Sequence, residues 1–470
     1  MKVHLVAICG TGMGSLAGLM QAAGHDVSGS DKAFYPPMSD SLRAWGIPTM
    51  QGFSEEHIGA DLNLVIVGNA CHSDNPEARA ALEAGIEIKS FPQTLSELFI
   101  TGRRSLVVAG THGKTTTSAL LSFLLSEAGR DPSFLVGGVL ENYGRSFGLG
   151  GGEEFIVEGD EYDSAFFDKR PKFFHYRPEI AVLTSVEFDH ADIYVDMDAY
   201  RAAFRGFVRL LPRTGLLVAC DDDPEVRALI AETECEVVRY GLGEGKGFRA
   251  REISTTSGGT TFTLEITGAG KTRLETPLCG EHNVANTLAV LAVAARLGLP
   301  PVQAGPLLTG FRGVARRMQV RGTRAGVTVI DDFAHHPTEV SKTVRAARER
   351  YPAADLVAVF EPRTNTSRRA FFQKRYPESF DGADRVIVVP PYNVEQIATD
   401  ERFDSQALVE DLRLRGLRAD CLPDAAAVVC DLAASAPPGA VILVMSNGAF
   451  DDIHERLLAS LGAREEGSHG

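Results

Sequence analysis

The segment VVAGTHGKTTT, residues 107–117, carries an apolar run into a glycine turn and then into a lysine and three threonines that open a helix. This order gathers the free backbone N–H groups of a helix start around phosphate oxygens. It adds the positive charge of Lys114 and offers Mg²⁺ a hydroxyl from Thr115 or Thr116. The glycines fall at Gly110 and Gly113, and Val108 stands where a standard GxxxxGK loop has its first glycine, so the loop is a shorter GxxGKT variant. A Gly-Lys-Thr string alone also occurs in plain surface turns. With a strand before it and a helix after it, the segment predicts a nucleoside triphosphate site in an α/β protein, with Gly110, Thr111, His112, Gly113, Lys114, Thr115 and Thr116 as its phosphate grip and ATP and Mg²⁺ as its ligands.

Around this loop lie 470 residues, too many for one ordinary core, which sets an expectation of three domains. A net charge of −15 disfavours nucleic acid and anionic lipid, which bind clustered Lys and Arg, and favours small-molecule partners. Seven cysteines form no CxxC pair and leave an odd count, as a reducing cytosol allows. The opening MKVHLVAICG is short and runs into a glycine turn without a cleavage pattern, and no apolar run approaches the ~18 residues of a membrane span. The expected place is therefore the cytoplasm, away from membranes. The polar EEGSHG after Arg464 is read as a disordered tail, and the sequence fixes no oligomeric state.

Strand and helix patterns divide the chain at 1–103, 104–317 and 318–463. Residues 3–8 and 64–67 read as strands of a small parallel domain, with a helix over 76–84. The second unit holds strands near 106–109, 155–158 and 180–184, a more antiparallel stretch over 248–266, and a helix over 282–297. In the third, strands near 327–331, 356–360, 385–389 and 441–445 indicate a second doubly wound sheet.

Several constellations sit at the expected strand ends, where ligands meet open α/β sheets. The loop Gly10-Thr11-Gly12-Met13-Gly14-Ser15 follows the first strand, and Asp31 comes about twenty residues on. Ser15 replaces the third glycine of a dinucleotide fingerprint, so any nucleotide diphosphate fits as well as NAD. The acidic runs EGDEYD, from Glu158, and EFDH, ending in His190, read as solvated turns in isolation; opposite a phosphate loop they can hold Mg²⁺ through oxygen ligands. GEHNVAN places His282, Asn283 and Asn286 at a helix start, where N-capping and nucleotide hydrogen bonding are both available. Arg316 and Arg317 could reach phosphates, and Asp331, Asp332, His335 and His336 follow a third-domain strand.

Taken in order, GTHGKTTT, EGDEYD, EFDH, GEHNVAN, RRM and DDFAHHPTE, behind the first glycine loop, make the whole chain similar to the Mur ligase family. The resemblance implies a Rossmann-like N-terminal domain binding a UDP-sugar, a central P-loop ATPase domain, and a doubly wound C-terminal domain binding the incoming amine. HADIY (190–194), EPRTNT (361–366) and SNGAF (446–450) resemble members that add a tripeptide, L-Ala-γ-D-Glu-meso-diaminopimelate, to UDP-N-acetylmuramate in cell-wall recycling. Members that add L-alanine alone are the nearest alternative. A nucleotide sensor and an NAD-dependent dehydrogenase are the alternatives outside the family, and neither accounts for a second phosphate loop with acidic partners.

The resemblance further implies catalytic roles for Lys114 and for His335 or His336, and Mg²⁺ ligation by Thr115, Glu158 and His190. It implies ATP contacts from His282, Asn283, Asn286, Arg317 and Asp332. Substrate contacts would come from Gly10, Gly12, Met13, Gly14, Asp31, Asn69, Arg363, Asn365, Ser446 and Asn447. Some members use a carbamylated lysine in the central domain, but this chain has no lysine between Lys172 and Lys246. With sites spread over three domains, the third is expected to close on the others during turnover.

Overall fold

The computed structural model describes residues 1–467 apart from Gln396. LVIV at Leu64–Val67 is buried on both faces, as in a strand covered by helices on either side. Side chains alternate across it: Leu64 and Ile66 join Leu16 and Ala17 of the helix Thr11–Ala22, while Val65 and Val67 join Ala78 and Ala81 of the helix Pro76–Glu83. Five parallel strands result, in the order Thr49–Gln51, Asp26–Asp31, Lys2–Val6, Leu64–Val67, Glu87–Ser90. The order reverses beside Lys2–Val6, and this opens a crevice at the strand ends where both the first glycine loop and Asn69 lie.

A ten-stranded sheet forms the middle of the molecule. Arg104–Ala109 runs parallel to both Glu154–Gly159 and Ile180–Leu183, so the loops after all three emerge at one end. The expected antiparallel stretch is a meander of Phe248–Thr256, Gly259–Ile266 and Gly270–Thr276. The helices Lys114–Glu127 and Glu281–Arg296 pack on this sheet and on each other.

The third sheet has six strands, ordered Gln319–Arg324, Val327–Asp332, Val441–Met445, Leu356–Phe360, Arg385–Val388 and Arg418–Cys421, and the first alone runs antiparallel. Helix Pro337–Arg350 covers one face; Ala425–Ser435 and Ile453–Gly467 cover the other. That last helix corrects the expected disordered tail as far as Gly467. Leu457 and Leu461 bury against the sheet, and Arg464 donates to the carbonyls of Ala433 and Ala436, so the turn that follows is held. The rest of the tail, residues 468–470, lies outside the described residues. No described helix is long and apolar enough to cross a membrane.

The first two units share one continuous hydrophobic core. Ser15 hydrogen bonds Ser146 at 2.6 Å inside it, and Trp45 meets Phe147 edge-on at 5.1 Å. The third unit has two cores of its own, one on each face of its sheet.

Candidate active site

The loop from Gly110 to Thr116 is clamped by the protein around it. Gly110 has φ 132° and approaches the next strand so closely that a Cβ would stand 2.2 Å from Thr184 Oγ1. Gly113 has φ 80°, and a Cβ there would stand 2.7 Å from Asn286 Oδ1. Only glycine fits either position. Thr111 and His112 spend their N–H groups on Ser185, at 2.9 and 3.0 Å. Helix Lys114–Glu127 starts without a side-chain cap, leaving its first N–H groups for an anion.

Parallel pairing sets Glu158 beside Val108, one strand over from the loop. Its Oε1 accepts the Thr115 hydroxyl at 3.0 Å and its Oε2 accepts the Gly137 N–H at 2.8 Å. Burial raises its pKa above the ordinary carboxylate value, against the pull of Lys114. Lys114 Nζ donates to the Gly110 carbonyl at 2.6 Å and to both oxygens of Glu161, at 3.0 and 3.1 Å. Glu161 is fully buried and also accepts the Tyr200 hydroxyl at 3.0 Å; burial pushes its pKa up, but Lys114 and His190 outweigh this and hold it low. Asp160, paired with Lys172 at 2.6 Å, falls to about 2 against its own burial for the same reason. His190 Nε2 lies 3.1 Å from Glu161 Oε1, so Lys114 and His190 share one carboxylate while Thr115 takes Glu158.

The third unit docks onto this cluster. His112, inside the phosphate loop, meets Glu187 through Nε2 at 3.0 Å and Glu339 of helix Pro337–Arg350 through Nδ1 at 3.2 Å. Arg375 donates to Glu187 at 2.5 Å, and Asn365 to Asp192 at 2.9 Å. The two adjacent histidines differ. His335 lies 3.8 Å from Asp189 and 3.5 Å from Glu339; burial lowers its pKa, but these acids more than reverse that and raise it. His336 is 1% exposed, and burial together with the charge of His112 lowers it to about 3. Its Nδ1 accepts the Thr338 N–H at 3.2 Å and caps the helix, so the two neighbouring rings do different work. His112, Glu187 and His336 bring ligand-type atoms within 4.8 Å of one another. Both His112 nitrogens meet carboxylates and His336 Nδ1 caps the helix, while His336 Nε2 is buried without a hydrogen-bond partner.

Next to the loop opens a cleft of about 420 Å³, bounded by His112, Thr115 and Thr116 at the loop and by Tyr240, Leu278 and Phe311 elsewhere. His282, Asn283 and Asn286, from the first turns of helix Glu281–Arg296, line it, as do Arg317 and Asp332. Asn286 donates to Asn283, which donates to the Cys279 carbonyl, so both amides are oriented. Asp332 accepts the N–H groups of Met318 and Ala334, both at 2.8 Å, and burial still raises it to about 6. Burial, then the charge of Lys342, takes His282 down to about 3.

In the N-terminal unit, Gly10 precedes helix Thr11–Ala22 and Met13 is buried, and a Cβ at Gly14 would stand 2.1 Å from Met38 Sδ. Asp31 accepts the Cys9 N–H at 2.8 Å and so fixes the loop it was expected to accompany. Gly12 and Asn69 fall at the same sheet end. In the third unit, Arg363 stacks 3.8 Å from the Tyr392 ring centroid, Ser446 donates to Glu361 at 2.5 Å, and Asn447 Oδ1 is buried without a partner. Arg316 braces this turn through the carbonyls of Ser446 and Gly448 at 2.6 and 2.7 Å. Sequence reasoning assigned no role to Glu161, Glu187 or Glu339. All three lie inside motifs it quoted, but their partners are far away in the chain.

Fold and site together are those of an ATP-dependent, ADP-forming amide ligase. The chain belongs to the Mur ligase family: the Mur ligase family catalytic domain matches residues 2–103, the Mur ligase middle domain 108–294, and the Mur ligase glutamate ligase domain 316–448. It is 38% identical to UDP-N-acetylmuramate–L-alanyl-γ-D-glutamyl-meso-2,6-diaminoheptandioate ligase of Escherichia coli, over 99% of both chains. A UDP-N-acetylmuramate–L-alanine ligase of Acidithiobacillus ferrooxidans is 34% identical over 96% of this chain and 95% of its own. The crystal structure of a murein peptide ligase from Psychrobacter arcticus covers 98% of this chain and 99% of its own, with 33% identity and a TM-score of 0.74.

Proposed function

We propose that the protein joins L-Ala-γ-D-Glu-meso-diaminopimelate to the lactyl carboxylate of UDP-N-acetylmuramate, at the expense of ATP, in peptidoglycan recycling in the cytoplasm. The observation that carries this reading is the 38% identity, end to end, to a relative named for that reaction. Units 1–103, 104–317 and 318–463 take the UDP-sugar, ATP and the peptide amine in turn. Gly10, Gly12, Met13, Gly14, Asp31 and Asn69 hold the UDP portion. Arg363, Asn365, Ser446 and Asn447 face the peptide.

Transfer of the γ-phosphoryl group to the sugar carboxylate gives an acyl phosphate, which the alanine amine attacks; ADP and phosphate are released. Two anions must meet in the first step, so positive charge is the main requirement. Lys114 supplies it from the loop and Arg317 from the hinge between units. The Thr115 hydroxyl beside the Glu158 carboxylate is an oxygen-donor pair suited to Mg²⁺, and His190 joins them in the proposed ligand set. When bound, the ion offsets charge on the phosphates. Asn283, Asn286 and His282 border the nucleoside, with Asp332 toward the ribose. An α-amino group with pKa about 8 needs little help to shed a proton. His335 Nε2, beside Asp189, is the atom assigned to receive it.

The test is phosphate release with ATP, Mg²⁺ and UDP-N-acetylmuramate, comparing the tripeptide with free L-alanine and identifying the product by mass. Strong preference for the tripeptide is expected. Preference for alanine would move the protein to the second reading, which the alanine ligases in the same identity range support.

A further inference from the structure

Helix Pro337–Arg350 lays one face along the nucleotide cleft. Glu339, Lys342, Thr343 and Arg350 line it, and Ala346 packs so close to the turn at Gly280 that a Cβ there would stand 2.7 Å away. Steps of three and four residues keep these positions on one side of the helix. Glu339 grips His112 of the phosphate loop, and Thr343 bonds Asp332 at 3.3 Å. Lys342, between them, forms no ion pair or hydrogen bond among the described residues. It lines the cleft together with His112 and Gly113 of the loop and His282 and Asn283 of the first turn of helix Glu281–Arg296. Lys114, by contrast, is already held by the two oxygens of Glu161. A polyanion entering the cleft therefore meets a lysine whose charge is unspent, carried by a different unit from the one that grips the phosphates.

We propose that Lys342 binds a phosphate group of the nucleotide from the third unit, adding a cation in trans when that unit docks. The proposal rests on the reading of the cleft as the nucleotide site. Its side chain is exposed at the cleft edge and packs in neither core of its unit.

The experiment measures binding of the non-hydrolysable ATP analogue AMP-PNP, with Mg²⁺, and of adenosine by competition, to the full-length protein and to Lys342→Gln and Lys342→Arg. The Gln variant is expected to lose about tenfold in AMP-PNP affinity, the scale of one charge-assisted hydrogen bond, with adenosine unaffected and a weaker dependence on salt. The Arg variant should recover most of the loss. UDP-N-acetylmuramate binding and the melting temperature, both unchanged, report an intact fold. AMP-PNP affinity unaltered by Lys342→Gln, or an equal loss for adenosine, would overturn the role of Lys342 alone. Failure of the unmutated protein to bind either ligand would overturn the reading of the cleft as well.

Discussion

Lys114 neutralises the buried carboxylate of Glu161, and in the proposed reaction it also meets the phosphates. Lys114→Ala should cut ADP formation by at least about a thousandfold, because the charge that brings two anions together is gone. It should also destabilise the fold by about 3 kcal/mol, because Glu161 is left charged and buried. Adding Glu161→Gln should restore much of the stability and none of the turnover, as ADP release and thermal unfolding would report; near-normal ADP release in Lys114→Ala would sink the assignment. Gly113→Ala makes a separate point. Its left-handed backbone should cost about 1–2 kcal/mol, and the clash with Asn286 should raise the KM for ATP, both visible in a melt and a substrate titration. That Lys114 and Thr115 stand together at one helix start is legible in sequence because spacing along one loop dictates it. The pairings of Glu161 and Glu339 are not: the first meets Lys114 across 47 residues and the second meets His112 across 227. No local pattern announces a partner that only the fold brings near.

Helix Pro337–Arg350 is the element through which the third unit senses the phosphate loop. Glu339 on the helix and Glu187 on the central unit flank His112, with the positive charge of Lys342 opposing them. Burial opposes protonation of His112, but the two acids prevail and its pKa in the docked arrangement is raised above 6.5. The contribution to docking is therefore complete below the undocked value and fades as pH rises through the raised one. Intramolecular energy transfer between dyes on the central and third units should show docking weaken as pH rises above about 6.5, and Glu339→Gln should flatten that dependence. A profile unchanged by Glu339→Gln would remove His112 from the docking mechanism. Among the elements, strands such as Leu64–Val67 were plain from composition, since continuous apolar runs between glycine turns have few other readings. The end of the last helix was not, because its polar residues are held by an arginine reaching carbonyls of another helix and its end.

At the scale of the molecule, the shared core of the first two units and the separate cores of the third predict two unfolding events. Differential scanning calorimetry should show the first two units melting together and the third unit melting on its own, with a nucleotide analogue drawing the transitions closer. A single transition with the calorimetric enthalpy of the whole chain would contradict this. Small-angle scattering should show compaction when nucleotide, UDP-sugar and peptide are all present; an unchanged radius of gyration with every ligand bound would argue that the docked arrangement is permanent.

The sharing of that core has a consequence for ancestry as well as for melting. A Ser15–Ser146 bond and a Trp45–Phe147 contact sewn into a common interior mean that neither of the first two units can be traded without rebuilding the other. The third meets them largely through polar groups at a surface and carries its own interiors. It is the exchangeable cassette of the chain, a piece that can be grafted or diversified while the first two units are inherited together.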